Sequence, residues 1–409
     1  MVETALSARP RPGWLQHNLR HLALSTPWLG QFYALTPVYT ILLQVQVSQT
    51  VGRSLQDTAV GLATGLGGVF ALVLPPLVGA WSDGYHSRFG RRRPFLVAGT
   101  AGVAGSCLVL LAANSYPVVL VGFVAFVAFI NVAGAATFGL VPDAVEGAET
   151  GKASGLLSGM SQLGSVASLI TLLLMSRAGI LRGTYFAIIA VLVITLVPTL
   201  WAAAGEGLKP LPRKPRRSLA EFIAPLYKGD FGWAFFTRLM TVSGLYSVLP
   251  FLVFAFRDIE GIKDSANFTA LFELIVTAVA VPFAIAGGLV SDRFGRKRFV
   301  YASGAIFAAV LLVFMVGRLP TTLVIALAVV YGLAYGCWGA VDWALGLDTV
   351  PDRERAAKDL GLYHVADSLP RVVVPLFVGA IIDVFNRVGS NVGYRVMFLM
   401  AVLFYVCGT

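Results

Sequence analysis

Six ionisable side chains in the second half of this 409-residue chain fall inside apolar runs: Arg238, Glu273, Asp342, His364, Asp367 and Arg371. A charge in such a run costs free energy, so each one needs a partner or a task. Tyr331, Tyr335, Trp338 and Asp342 follow one another at spacings of 4, 3 and 4, which puts them on one helix face. Rings ending in a carboxylate suit a polyhydroxylated ligand, whose C–H face stacks on aromatics while its hydroxyls bond to the acid. Ordinary packing of an aromatic stripe is the competing reading, and Trp343, about 100° round the helix, reads as a packing or interface residue. His364, Asp367, Ser368 and Arg371 stand at i, i+3, i+4 and i+7, again on one face. A carboxylate whose counter-ion comes and goes takes up and releases a proton, and Asp342 is the first choice for that role. Asp367 and Glu273 follow it. A purely structural Asp367–Arg371 salt bridge is the alternative.

Arg238 and Asp342 each sit several residues in from the same end of their segments. At 1.5 Å per residue both lie about 8–10 Å deep, level enough to pair. The first half has fewer such groups. Tyr33, Thr36, Thr40 and Gln44 make a polar face around Pro37, a wall for binding hydroxyls, and Asn131 is the strongly polar residue in the middle of a later run. Ser158, Ser161, Gln162 and Ser165 form an uncharged stripe, which reads as close packing beside Gly151, Gly155 and Gly159.

The elements that position these residues follow from composition. The chain is 57% hydrophobic and 13% charged, against about 25% charged in an ordinary soluble domain. Such a chain in water would expose far more apolar surface than soluble monomers tolerate. Stretches long enough to cross a bilayer recur near 27–47, 58–82, 94–113, 116–141, 153–176 and 183–203, and again near 231–256, 267–291, 299–318, 321–346, 359–384 and 393–409. Runs such as SGAIFAAVLLVFMVG do not alternate, which excludes a β-barrel. The expectation is an all-α integral membrane protein of twelve transmembrane helices. The polar N-terminus is no cleavable signal peptide, and further chain is expected beyond Thr409, where the last span ends without a polar tail.

Charge gives the topology. With twelve spans both termini share a side, and 21 of the 31 Lys and Arg residues fall there against 8 opposite and 2 within spans. Positive loops stay inside, so both termini are placed in the cytoplasm and the protein in the cytoplasmic membrane. The +10 net charge then reports contact with anionic lipid headgroups of the bilayer, not nucleic acid. Residues 1–204 and 230–409 read as two six-helix halves, joined by a cytoplasmic linker at 205–229 in which Ser218 and Glu221 form a capping box. Cys107, Cys337 and Cys407 give neither disulfide framework nor metal spacing. GAETGKA lacks the spacing of a phosphate loop, no nucleophile–base constellation appears, and no cofactor is called for. His17 and His21 sit in a basic amphipathic segment that reads as interfacial.

The halves repeat. SDGYHSRFGRRR returns as SDRFGRKR, with Asp83 and Asp292 separated by 292 − 83 = 209 residues, and Asp143 and Asp352 by the same 352 − 143 = 209. Parallel duplication implies a pseudo-two-fold axis along the membrane normal, with a site between the halves. Gly79, Asp83, Arg88, Gly90, Arg91 and Arg92, with their counterparts Gly288, Asp292, Arg293, Gly295, Arg296 and Lys297, resemble the cytoplasmic loop motif of the major facilitator superfamily. The first copy carries Gly84-Tyr85-His86-Ser87 as an insertion. That longer form, with AKDLGLYHVADSLP before the eleventh span, is similar to the sucrose-transporter and glycoside–pentoside–hexuronide:cation symporter branch.

The resemblance implies a monomeric secondary transporter working by alternating access on a small-molecule substrate. The solute is a sugar or glycoside such as sucrose, and the proton is the coupling ion. The motif acts as a gate whose aspartate–arginine bonds form in one state and break in the other. Cation-coupled members of this branch carry acids in helices of the first half, whereas the second and fourth spans here have none at mid-membrane. The proton site is therefore expected in the second half. An exporter of an amphipathic drug or natural product is the alternative, since an aromatic cavity serves it equally well.

Overall fold

In hydrocarbon every backbone N–H and C=O must be satisfied inside its own segment, and the described part of the chain does this with helices. The structure, a computed structural model, describes residues 14–85, 87–144, 150–203, 223–227, 229–351 and 356–409. The linker capping box, His86 and Asp352 lie outside the described residues.

Helix α1 runs over Trp14–Pro37, through a π turn at Val38–Leu42, into Leu43–Thr50. It is followed by α2 (Gln56–Asp83), α3 (Arg93–Ala112), α4 (Tyr116–Ala144), α5 (Thr150–Arg177) and α6 (Thr184–Ala202). The second set opens with α7 (Phe231–Val248), which continues through a 3₁₀ turn at Leu249–Phe251 into Leu252–Asp258. Then come α8 (Ser265–Phe294), α9 (Arg296–Phe314), α10 (Thr321–Thr349), α11 (Ala356–Val388) and α12 (Val392–Gly408). Ten of these, α2 to α11, are long and apolar enough to cross a membrane, and α12 is an apolar helix of 17 residues.

Helix α1 starts earlier than expected. Residues 17–21 do not lie apart as an interfacial segment: His21 is buried, and Arg20 Nε donates to the Ala202 carbonyl of α6 at 3.2 Å. Thr26 Oγ continues that seam, 2.9 Å from the Thr195 carbonyl. Polar residues that find partners on α6 extend the helix where hydropathy alone would end it. Pro37 has no N–H to give, so the next turn widens into the π segment.

The loops carrying the repeated motif define one face of the molecule, and the opposite face is called here the far face. The two halves meet tightly toward the far face, between α2 and α11. Gly61, Gly65 and Gly68 stand at i, i+4 and i+7, and a Cβ on them would come within 2.3 Å of the Pro375 carbonyl oxygen, 2.2 Å of Leu376 Cγ and 2.8 Å of Val372 Cα. Small residues thus let two backbones touch where any side chain would hold them apart. The α5 glycines do not work this way, since a Cβ on Gly159 would meet open space and the side-chain surroundings of Gly151 and Gly155 lie outside what is described. Close approach of α5 instead occurs at Gly164, where a Cβ would come within 2.3 Å of the Leu29 carbonyl oxygen of α1. The largest buried core runs across both halves near the far face, through Val38, Val60, Phe123, Phe251, Val378 and Tyr394.

Candidate functional site

Three helices of the second half bring charge together. Arg238 lies on α7, Asp342 on α10, and Tyr363, Asp367 and Arg371 on α11. Arg238 Nη1 meets Asp342 Oδ2 at 2.5 Å, with both side chains almost wholly buried. Arg238 Nη2 also lies 3.7 Å from Asp367 Oδ1, and Arg371 Nη2 lies 2.7 Å from Asp367 Oδ2. The result is an alternating row, Asp342–Arg238–Asp367–Arg371. The depth match between Arg238 and Asp342 holds as the sequence suggested. The i,i+4 pair also forms, but through Asp367 it is one end of the larger network.

Aromatic rings enclose the row. Tyr363 Oη donates to Asp342 Oδ1 at 3.0 Å. The Arg238 guanidinium carbon lies 4.7 Å from the centroids of both Trp343 and Tyr363. Trp343 therefore does more than pack, because its ring faces a buried cation and compensates part of the lost hydration. Arg371 lies over Tyr246 at 5.1 Å. The sequence reading missed Tyr363 and Tyr246. Tyr363 stands four residues before Asp367 on the same face, which was a usable signal, whereas the cation–π contacts depend on how the helices cross.

Several polar atoms around this row are buried without partners: Trp338 Nε1, Arg238 Nε and Arg371 Nε. Each is a donor, and a buried donor left unmade costs about 1–3 kcal/mol. The Tyr335 and Trp338 rings lie 6.1 Å apart with planes tilted by 31°. Tyr331 departs from them, its hydroxyl 2.9 Å from that of Tyr405 and its ring 4.8 Å from Phe307, in a cluster with α9 and α12. His364 is exposed, and its carbonyl accepts from Ser368 Oγ at 3.1 Å.

The polar face of α1 turns mostly to neighbouring helices. Tyr33 Oη donates to Thr171 Oγ at 2.7 Å, and Thr36 Oγ to Ser165 Oγ at 3.0 Å, so these two clasp α5. Thr40 Oγ donates to the Thr36 carbonyl at 2.9 Å, and Glu273 on α8 is buried with its Oε1 unpartnered. Gln44 is fully buried, and its Nε2 donates across the halves to the Pro250 carbonyl at 3.0 Å. Asn131 Nδ2 donates to the Val127 carbonyl of its own helix at 2.8 Å.

Both motif copies turn through a glycine with positive φ, 90° at Gly90 and 88° at Gly295. An L residue there would be strained, which explains the glycine in each copy. Gly79 and Gly288 have no comparable crowding: a Cβ on Gly79 meets nothing within 4 Å, and on Gly288 only Ala340 Cβ at 3.8 Å. Arg92 is buried and binds Asp83 and Ser82, with Gly139 of α4 directly against its guanidinium. In the second copy Arg296 Nη1 pairs with Asp348 Oδ2 of α10 at 2.5 Å. Since 348 − 139 = 209, the repeat offset puts a glycine in one half where the other has the arginine's partner. Arg91 is buried, Arg88 rests over the Phe89 ring at 4.7 Å, and Arg293 and Lys297 are exposed. The Asp292 side chain lies outside what is described. These motif pairs each stay within one half.

A family profile now adds to the geometry: the Major Facilitator Superfamily matches residues 28–375 and, in a second match, 275–409. The chain belongs to the major facilitator superfamily. Members of this superfamily are membrane transporters rather than enzymes, and twelve helices in two parallel six-helix repeats are its fold. No curated protein sequence matches this one. Solved structures share the facilitator fold along nearly all of the chain. A bacterial homolog of the human lysosomal transporter Spinster, inward-facing and unoccupied, is 14% identical with a TM-score of 0.70, over 98% of this chain and 96% of that one. The nucleoside transporter NupG is 14% identical with a TM-score of 0.71, over 96% and 97%. A D-xylose–proton symporter is 16% identical with a TM-score of 0.69, over 95% and 96%.

Proposed function

We propose that this facilitator carries a small polar solute, a sugar or glycoside, together with a proton across the cytoplasmic membrane. The Arg238–Asp342 pair, buried beside Tyr335 and Trp338, carries the proposal. Taking two charges out of water is expensive, and a buried ion pair adds little net stability over apolar residues of the same size. A row of them spanning α7, α10 and α11 is better understood as a part that changes partners during the cycle. The unpaired Trp338 N–H and the tilted ring pair suit a hydroxylated ligand with one apolar face. The halves 1–204 and 230–409 rock about the linker at 205–229, with both termini and the motif loops in the cytoplasm. Asp83–Arg92 and Arg296–Asp348 form each half's own clasp, and the gating exchange consists in trading these partners when the loop faces meet.

Purified protein in liposomes, offered a panel of labelled sugars and glycosides with and without an inside-alkaline pH gradient, tests the proposal. At least one neutral sugar is expected to accumulate only when the gradient is imposed. Gradient-independent equilibration would make the protein a facilitator, and transport of amphipathic cations in place of sugars would make it an exporter.

A further inference from the structure

A second buried charge cluster lies at the far ends of the helices, where α2 and α11 bring the two halves together. From the first half come Gln56 and Asp57, in the first turn of α2. From the second half come Arg257 and Asp258 of α7, Asp383 of α11 and Tyr394 of α12. Asp57, Asp383 and Tyr394 are almost wholly buried, with Asp57 at 0% exposure.

The contacts assign the charges one by one. Arg257 is committed to Asp258, through Nε to Oδ1 at 2.8 Å and Nη2 to Oδ2 at 2.7 Å. Its Nη2 also reaches Gln56 Oε1 across the halves at 3.1 Å. Asp383 Oδ2 accepts the backbone N–H of Thr58 at 2.7 Å, so a carboxylate of one half caps the α2 N-terminus of the other. Asp57 Oδ2 accepts from Tyr394 Oη at 3.0 Å and more weakly from Gln56 Nε2 at 3.5 Å. Tyr394 Oη lies 3.2 Å from Asp258 Oδ2 as well. Asp57 Oδ1 is buried with no partner. The one guanidinium of the cluster is thus taken by Asp258, while Asp57 and Asp383, whose Oδ2 sits on the backbone N–H of the residue after Asp57, have no ion pair among the described residues.

We propose that Asp57 is a proton-binding latch of the far-side seal, holding a proton while the halves are closed there and releasing it when they part. Two carboxylates enclosed together without a cation cannot both stay ionised, so one proton belongs to the closed arrangement. Asp57 Oδ1 accepts no hydrogen bond, whereas Asp383 accepts the Thr58 N–H, so the Asp57 anion is the less supported of the two and the proton belongs to Asp57. When α2 leaves α11 and α12, Asp57 separates from Asp383, Asp258 and Tyr394 and meets water, and the proton departs to the far side. The closed arrangement therefore binds more protons than the open one, and falling pH favours closure. This site is separate from the Arg238–Asp342 row, and the latch stands whether or not that row couples transport.

The test needs no substrate. In a background without the three native cysteines, Ser54→Cys and Val388→Cys place spin labels on exposed positions at either side of the seal. Their distance distribution is measured in lipid nanodiscs from about pH 4.5 to about pH 9, above the ordinary carboxylate range. The wild type is expected to shift from short to long distances as pH rises. Asp57→Asn is expected to keep the short distances throughout, and Asp383→Asn to weaken the pH dependence by removing the repulsion. A wild-type distribution that ignores pH overturns the latch even if neither variant folds, and so does an Asp57→Asn protein that follows the wild-type pH curve.

Discussion

Asp342→Asn protein is expected to lose accumulation against a gradient while retaining counterflow. Accumulation requires the coupling ion to be bound on one side and released on the other, whereas counterflow needs only exchange of loaded carriers. Asp342 pairs with Arg238 and accepts a hydrogen bond from Tyr363, so its charge is the one most directly balanced by a movable partner. Asparagine keeps the size and the hydrogen bond to Tyr363 but cannot change charge. The expected result is uptake that levels off at the external concentration, with labelled substrate still exchanging at a rate near wild type. The same substitution at Asp367 and at Glu273 ranks the alternatives. If all three variants still concentrate substrate under an imposed pH gradient, the proton is carried elsewhere.

Arg238→Ala is expected to lower stability more than any substitution in the aromatic face. Arg238 is 4% exposed and serves Asp342 and Asp367 together. Its removal leaves both carboxylates buried, with Asp342 lacking any cation, and breaking a buried pair from one side costs about 3–5 kcal/mol. The rings of Trp343 and Tyr363 lose the guanidinium between them at the same time. Adding Asp342→Asn to the Arg238→Ala chain removes the stranded charge, so part of the loss is expected to return. Thermal unfolding of the two single variants and the double variant in detergent measures this. Simple additivity of the two losses would show that the residues do not act as a pair.

Most of the fold was legible because lipid imposes one requirement, continuous apolar helix, and the chain meets it in long unambiguous runs. The start of α1 was not, since His17 and His21 read as part of a basic interfacial segment, whereas Arg20 finds the Ala202 carbonyl of α6 and His21 is buried. The Arg238–Asp342 pair was legible from depth alone. Trp343 and Tyr363 were not recognised as its walls, because a ring's position over a guanidinium follows from helix crossing, not from spacing. The hydroxyls of Tyr33 and Thr36 had the right periodicity for a ligand wall, yet α5 offers Thr171 and Ser165 at the same heights and takes them up. Asp57 carries no signal in the sequence beyond its place in the first turn of α2. Only the approach of α2 to α11, over Gly61, Gly65 and Gly68, encloses it.

The central claim is that solute and proton cross together, and proton movement driven by the solute tests it most directly. Liposomes holding the purified protein and a pH-sensitive dye, with no pH gradient imposed, receive a solute identified from the uptake panel. The account predicts that the lumen acidifies as wild-type protein lets the solute in, and that Asp342→Asn protein produces no such change. Solute entry through wild-type protein without lumenal acidification would contradict it.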